Sequence, residues 1–110
     1  MEWVELAAGV QYQQLVEGQG RTARPGDRGS VHYHGWLEDD TVFDSSDEPF
    51  SFRLGAGDVI PGWDLGVAGM QAGAIRRLWI PAELAYGSEG VEGIPPDSNL
   101  YFDVEVVAIE

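Results

Sequence analysis

The fold is decided by residues 59–70, which read Val59-Ile60-Pro61-Gly62-Trp63-Asp64-Leu65-Gly66-Val67-Ala68-Gly69-Met70. Trp63, Val67 and Met70 follow the i, i+4, i+7 spacing that places side chains on one face of a helix. Pro61 suits the first helical turn, and Asp58 precedes it closely enough to help cap the helix. Because so short a helix is unstable alone, the rest of the chain must enclose it. The enclosed indole is then either a plain core residue or the aromatic floor of a ligand pocket.

Most of the remaining chain predicts antiparallel strands. Apolar and polar residues alternate, wholly or in part, in residues 28–38, 41–43, 50–54, 76–80 and 100–106. The alternation turns Leu78 and Ile80 toward the core and leaves Trp79 and Tyr101 on the solvent side as a cross-strand aromatic pair. Residues 81–99 contain three of the six prolines and predict a long loop. The sequence therefore predicts an α+β domain with about five antiparallel strands and one short α-helix.

The composition is typical of a single globular domain. A chain of 110 residues with 44% hydrophobic content can form one modest core. It has no cysteine, which excludes disulfides and a thiolate-built zinc site. It also lacks the long apolar run of a membrane-spanning helix. The first residues, Met1-Glu2-Trp3-Val4-Glu5, lack the features of a signal peptide. We therefore expect a cytoplasmic protein, or a periplasmic or secreted one if a signal segment has been removed.

The charge balance is strongly acidic. Acidic residues number 19 against six basic ones, all of which are arginine, and the formal net charge is −13. Such a charge repels nucleic acids and anionic membranes, so neither is expected as a partner. The acidic residues are scattered along the chain, which is typical of a solvated surface. Two sharper interpretations stay open, namely adaptation to high salt and a preference for basic client proteins.

Few residues offer chemistry of another kind. His32 and His34 are the only two histidines, and a solvent-facing pair explains them better than a metal site. Asp39 and Asp40 fall in a predicted turn, and the chain has no G-x-x-x-x-G-K-[ST] phosphate loop. Ser45-Ser46 has no nearby histidine to activate a nucleophile. We therefore predict neither a metal site nor a cofactor.

Six short motifs follow one another in order along the chain. They are Val31-His32-Tyr33-His34-Gly35, Val42-Phe43-Asp44-Ser45-Ser46, Pro49-Phe50, Ala85-Tyr86-Gly87, Ile94-Pro95-Pro96 and Phe102-Asp103-Val104-Glu105-Val106. Together with residues 59–70 they resemble the FKBP-type peptidyl-prolyl isomerases, the immunophilins that bind macrolide immunosuppressants. The resemblance implies a strongly bent sheet wrapped around the short helix, with a pocket between them. It begins near residue 9, so we assign residues 1–8 to an N-terminal extension and residues 9–110 to an isomerase domain.

The resemblance also implies a substrate pocket. Its residues would be Tyr33, Phe43, Asp44, Phe50, Val59, Ile60, Trp63, Tyr86, Ile94 and Phe102. Trp63 would form the floor under the prolyl ring, and the Tyr86 hydroxyl would bond a carbonyl of the bound ligand. Asp44 would be the one buried carboxylate, near the carbonyl that turns, and Ile94 would be the tip of a loop closing over the pocket. The catalytic residues would be Phe43, Asp44, Trp63 and Tyr86.

Further roles and departures follow from the same comparison of motifs. Val59 and Ile60 would form the pocket rim, with the Ile60 backbone N–H donating to a substrate carbonyl. Residues 46–49 are shorter than in many relatives and lack a basic residue, so Asp44 has lost its usual partner. A turn or cap hydrogen bond to the backbone is an equally good interpretation of Asp44. Residues 90–96 are about one residue short, which affects loop contacts more than the pocket floor.

Rotation about an X–Pro bond needs an environment more than a reactive group. Peptide-bond rotation has a barrier of about 18–20 kcal/mol, because the twisted transition state loses amide resonance. That state has less charge separation than the planar amide, so an apolar pocket favours it without a nucleophile, metal or proton donor. We predict a monomeric peptidyl-prolyl isomerase that acts on X–Pro segments of client proteins and is blocked by macrolides such as rapamycin. The alternative is a catalytically weak binding or chaperone module with the same pocket.

Overall fold

An antiparallel sheet packs around one short helix in the computed structural model, which describes residues 2–110. The strands and the helix are β1 (Val4–Glu5), β2 (Gln11–Val16), β3 (Gln19–Thr22), β4 (Arg28–Leu37), β5 (Val42–Ser45), β6 (Phe50–Arg53), α1 (Pro61–Val67), β7 (Gln71–Ala72), β8 (Ile75–Ile80) and β9 (Leu100–Ile109). Short 3₁₀ turns occupy Ala7–Gly9 and Ala82–Leu84. Met1, the first residue of the predicted extension, lies outside the described residues. No helix among those described is long and apolar enough to cross a bilayer.

The main sheet has seven strands, with β9 near its centre. Six of them follow the order β1-β2-β8-β9-β4-β5, while β6 also pairs with β4, and β3 and β7 form a separate two-stranded ribbon. The register pairs Phe102 of β9 with Gly35 of β4 on one side and with Leu78 of β8 on the other. The predicted α+β class and the antiparallel sheet around one helix are confirmed.

The sheet has more strands than the five predicted because residues near the start of the chain pair with it. Strand β2, at Gln11–Val16, pairs with β8, and β1 adds to its outer edge. The sequence of β2 is rich in glutamine and lacks a clean alternation, so its pairing depends on the neighbouring strand rather than on its own pattern. Strand β1 lies within the predicted extension, residues 1–8.

The start of α1 is stabilised differently from the prediction. Pro61 occupies the first turn as expected, but Asp58 does not cap the helix. The Asp58 carboxylate instead accepts a hydrogen bond from the Arg53 backbone N–H at 3.2 Å. Asp64, inside the first turn, accepts one from the Gly55 N–H at 2.8 Å. A carboxylate near a helix N-terminus is favourable, and this one also ties the preceding loop to the helix.

The helix ends earlier than the apolar spacing predicts. Its last residue is Val67, so Met70 lies beyond it, although the Met70 side chain is still only 1% exposed. Strand β7 begins directly after Met70, at Gln71. The buried face that the sequence indicated therefore exists, but an irregular segment supplies its last member.

Arg76 of β8 supplies donors to the C-terminal end of the helix. Its Nη1 donates to the carbonyl oxygens of Gly66 and Ala68 at 3.1 and 3.2 Å, and its Nε donates to Gln14 Oε1 at 2.9 Å. Carbonyls at a helix C-terminus lack partners within the helix, and a cation is favourable there. The guanidinium also lies 4.0 Å from the centre of the Tyr12 ring. Burial lowers the pKa of Arg76.

The helix lies close against β8 because glycine faces the sheet. A Cβ atom on Gly66 would lie 2.7 Å from Cδ1 of Leu78. Larger residues at this position would force the helix outward. The core around this contact consists of buried apolar side chains, among them Val31, Trp63, Val67, Leu78, Ile80, Leu100, Val104 and Val106.

The outer face of the sheet carries the two aromatics predicted there. Trp79 and Tyr101 are register partners on β8 and β9, and both are only partly buried. Tyr101, however, stacks on Trp36, with ring centres 5.5 Å apart and ring planes at 9°. The Trp79 indole N–H instead donates to Glu38 Oε2 at 3.3 Å. The predicted facing of both strands is confirmed, while the stacking partner of Tyr101 is Trp36 rather than Trp79.

Candidate functional site

A pocket opens between the start of α1 and the inner face of the sheet. It encloses about 200 Å³ and is lined by Tyr33, Phe43, Asp44, Phe50, Asp58, Val59, Ile60, Trp63, Tyr86 and Phe102. A cavity of roughly 150 Å³ is large enough to bind benzene, so this pocket has room for a prolyl ring. The structure brings together every predicted pocket residue except Ile94, and it adds Asp58.

The indole of Trp63 forms the buried floor. Its side chain is 5% exposed, and its ring centre lies 5.1 Å from Tyr33, 5.2 Å from Phe102 and 6.2 Å from Phe50. The interplanar angles of these three pairs are 75°, 83° and 73° respectively, an edge-to-face geometry that aromatic pairs favour. The indole Nε1 is buried and has no hydrogen-bond partner among residues 2–110.

Gly35 allows the aromatic walls to meet. A Cβ atom at this position would lie 2.6 Å from Cζ of Phe43 and 2.8 Å from Cε1 of Phe102. Without that atom the two rings pack at right angles, with centres 5.4 Å apart. The glycine that ends the Val31–Gly35 motif is therefore required by close packing at the pocket wall.

Asp44 is one of two carboxylates that line the pocket, the other being Asp58, and it is exposed rather than buried as predicted. It lies on β5, an edge strand of the sheet, which leaves one side open to solvent. Its Oδ2 accepts a hydrogen bond from the Tyr33 hydroxyl at 2.8 Å. Burial, together with this hydrogen bond, raises the pKa of Tyr33 to about 12, so the phenol stays protonated at neutral pH.

No arginine compensates the charge of Asp44. The ion pairs found between residues 2 and 110 are Arg21–Asp27 at 2.7 Å and Arg77–Asp103 at 2.8 Å, and both lie outside the pocket lining. This agrees with the missing basic residue in the short 46–49 segment. The pocket therefore presents a carboxylate that is held by a phenol and has no cationic neighbour in the described chain.

Two polar hydrogens near the rim are available to a ligand. Ile60, just before α1, accepts a hydrogen bond from the Trp63 N–H at 3.0 Å, while its own N–H binds no acceptor among residues 2–110. Tyr86 is 39% exposed on the 81–99 loop, and burial together with the charge of Asp44 raises the pKa of its phenol. Both groups lie in the pocket lining, where the family resemblance predicts donors to a ligand.

Ile94 does not line this pocket, which contradicts its predicted role. Val91 and Ile94 form a bridge, in which each backbone N–H donates to the carbonyl of the other residue at 3.1 and 2.9 Å. This turn folds Ile94 into the core, where it is 6% exposed. It lines a separate second groove, composed of Leu37, Asp39, Thr41, Glu89, Val91, Glu92, Gly93, Ile94, Pro95 and Pro96.

Asp58 is the pocket residue that the sequence interpretation missed as a site residue. It was predicted as a helix cap, but the turn before α1 brings it to the pocket beside Val59. Its position next to the predicted rim was the one available signal. No group of three or more His, Cys, Asp or Glu side chains within residues 2–110 is arranged to hold a metal ion.

The fold and the site define a class of protein: an α+β domain with a small aromatic pocket whose floor is a buried indole. The model of the FKBP-type peptidyl-prolyl cis-trans isomerase family matches residues 19–107. The chain belongs to this family.

Named relatives agree with the family assignment. The chain is 51% identical over 109 residues to FK506-binding protein 4 of Neurospora crassa, covering 97% of this chain and 23% of that protein. A crystal structure titled AtFKBP13 is 38% identical, with a TM-score of 0.92 and full coverage of both chains. A peptidyl-prolyl cis-trans isomerase from Pseudomonas syringae pv. tomato is 38% identical, with a TM-score of 0.91 over 98% of this chain and 80% of that one.

The chain is much shorter than several of its curated relatives. It spans about a quarter of the length of the FK506-binding proteins that it matches along almost its whole length. The shared part is the pocket-bearing domain described above.

Proposed function

We propose that this domain accelerates cis–trans rotation about X–Pro peptide bonds in client proteins. The pocket itself carries the proposal, because a buried indole forms its floor and four aromatic side chains form its walls. The floor is Trp63, and the walls are Tyr33, Phe43, Phe50 and Phe102. A prolyl ring is small and apolar, and an aromatic pocket of this size excludes water from both its faces.

The rim donors fix the chain on either side of the ring. The Ile60 N–H donates to a substrate carbonyl oxygen, and the Tyr86 hydroxyl donates to a second one. With the prolyl ring and these two carbonyls held, the remaining rotation is confined to the X–Pro bond. Because binding already orders the substrate, less entropy is lost when the bound substrate reaches the transition state.

The low polarity of the pocket then favours the twisted transition state. In water the planar amide is stabilised because resonance places partial charges on its oxygen and nitrogen. The twisted amide has less charge separation, so it loses less solvation free energy when water is excluded. The pocket therefore binds the twisted amide more strongly than the planar form. Phe43 and Trp63 supply this apolar surface. No covalent bond forms, and no proton needs to move.

Asp44 contributes to the pocket through a hydrogen bond and through its negative charge. Its hydrogen bond to Tyr33 orients the phenol ring that packs against Trp63. Its charge also lies beside the rotating carbonyl, where it disfavours negative charge on that oxygen and so opposes the planar, charge-separated amide. Because this contribution acts through a field, its removal weakens the reaction without abolishing it.

Exchange NMR on a short X–Pro peptide tests the proposal. Unassisted exchange takes about 10–100 s, and the domain should shorten it severalfold at substoichiometric concentration. A macrolide such as rapamycin should compete and restore the slow rate. Trp63→Phe should weaken both effects, whereas Trp79→Phe, the matched change on the outer face, should leave them intact.

Peptide exchange that stays slow in the presence of folded protein would contradict the isomerase. Macrolide binding without acceleration would then favour the alternative, a catalytically weak binding or chaperone module with the same pocket.

A further inference from the structure

The second groove lies directly beside the pocket. Thr41 lines the groove and Phe43 lines the pocket, two residues apart at the start of β5. On the opposite side, Tyr86 lines the pocket and Glu89 lines the groove. The same two segments therefore form walls of both cavities. Because an extended chain rises about 3.3 Å per residue, a peptide leaving the pocket reaches the groove within a few residues of its proline.

The groove combines an apolar base with exposed carboxylates. Its apolar residues are Leu37, Val91, Ile94, Pro95 and Pro96. Asp39, Glu89 and Glu92 lie among them, all three exposed, and none forms an ion pair with a residue in the range 2–110. Hydrogen bonds involving Thr41 lower the pKa of Asp39, so this carboxylate is ionised at neutral pH.

The two segments that form most of the groove carry no basic residue. Residues 37–52 contain six carboxylates and residues 81–99 contain four, and neither segment contains an arginine or lysine. The pocket adds Asp58 to the same side. Clefts lined by one sign of charge concentrate that field and attract ligands of the opposite sign. The apolar base also suits the aliphatic stem of a long cationic side chain.

We propose that the second groove binds Lys or Arg side chains two to four residues from the substrate proline, so that the domain selects X–Pro segments with a basic flank. This inference rests on the proposed isomerase function, since the proline must occupy the pocket for its flank to reach the groove. Exposed ion pairs are individually weak, so three of them together should change kcat/KM by about 3- to 10-fold.

Two peptides of equal length test the inference. They share one X–Pro core, and one carries Lys at the flanking positions where the other carries Gln, with the Lys placed in turn on each side of the proline. Exchange NMR should give the Lys peptide a kcat/KM about 3- to 10-fold higher at low salt. The advantage should shrink in 0.5 M NaCl, because salt screens exposed charges.

A matched pair of triple variants tests whether the higher kcat/KM of the Lys peptide comes from the second groove. Asp39→Asn/Glu89→Gln/Glu92→Gln should remove the advantage of the Lys peptide and leave turnover of the Gln peptide unchanged. The control, Glu5→Gln/Glu105→Gln/Glu110→Gln, makes the same change in net charge at exposed acids outside both cavities. It should retain the advantage.

The outcomes separate the two proposals. Failure of the wild-type protein to turn over even the Gln peptide contradicts the isomerase. Turnover of both peptides at equal rates contradicts the basic flank alone. Equal loss of the Lys advantage in both triple variants shows a general charge effect and overturns the assignment to the groove.

Discussion

The two faces of the central strands carry aromatic clusters with opposite packing. On the inner face, Tyr33 and Phe102 meet the Trp63 ring edge-to-face, with centres 5.1 and 5.2 Å away. On the outer face, Trp36 and Tyr101 stack almost parallel at 5.5 Å. Strands β4 and β9 contribute to both clusters, so the difference does not come from the sheet.

Ring orientation, rather than aromatic content, distinguishes the face that forms a pocket from the face that does not. Parallel rings cover each other and leave no space between their faces. The rings of Tyr33, Phe50 and Phe102 stand steeply to the indole of Trp63, and together with it they line a cavity. The one α-helix among residues 2–110 presents that indole to the inner face of the sheet. Variants on the two faces should therefore differ in both stability and activity.

Trp63→Ala should have the largest effect. Removal of a buried aromatic side chain costs about 3–5 kcal/mol of folding free energy. Denaturant titration measures the loss, and macrolide binding should disappear with it. Trp63→Phe should destabilise much less, because it keeps a ring and also removes a buried N–H that has no partner in the described chain. Equal losses in the two variants would contradict the floor role.

Gly35→Ala should have the second-largest effect. The added Cβ meets the rings of Phe43 and Phe102, and overpacking of this kind costs about 1–3 kcal/mol. Displacement of Phe43 should also lower kcat/KM. Gly29→Ala in the same strand is the control, since a Cβ there meets no atom within 4 Å. Similar behaviour of the two variants would show that strand propensity, and not the pocket wall, sets the effect.

Asp44→Ala should reduce turnover modestly, by less than about tenfold in kcat/KM, because the proposed reaction transfers no proton. Exchange NMR on a neutral X–Pro peptide measures it, with Asp47→Ala, in the following turn, as the control. Complete loss of turnover in a folded Asp44→Ala protein would contradict the apolar-pocket mechanism.

The outer cluster should couple weakly and leave catalysis unchanged. A double-mutant cycle with Trp36→Ala and Tyr101→Ala should give a coupling of about 0.5–1.5 kcal/mol in folding free energy. Turnover by both single variants should match wild type. A loss of activity comparable to that of Trp63→Phe would break the distinction between the two faces.

The smallest expected effect is on the pH dependence of stability. The pKa of Tyr33 is raised to about 12 in the folded protein. The native state therefore holds this proton more tightly than the unfolded state. The folding stability that this bound proton contributes is complete below pH 10 and is lost as the pH rises from 10 to about 12. Asp44→Asn should make the fall in stability over this range less steep, as followed by urea titration. An unchanged slope would contradict the coupling of Tyr33 to Asp44.

The helix, the inner face of the strands and most of the pocket could be predicted from the amino-acid sequence. Pro61 and Trp63 identified the start of α1, and the alternation in β8 and β9 placed Trp79 and Tyr101 on the outer face. These features depend on local periodicity, which is fixed by the 3.6-residue turn of a helix and the two-residue repeat of a strand. The linear order of motifs indicated every pocket member except Asp58, and it wrongly added Ile94.

The way in which irregular segments pack against the helix and strands could not be predicted and depends on long-range contacts. A two-way backbone bridge between Val91 and Ile94 turns Ile94 into the core instead of over the pocket. The edge position of β5 exposes Asp44, and the turn before α1 moves Asp58 from a capping role to the pocket. Loops have no repeating geometry, so the direction of their side chains follows from hydrogen bonds between residues that no local pattern relates.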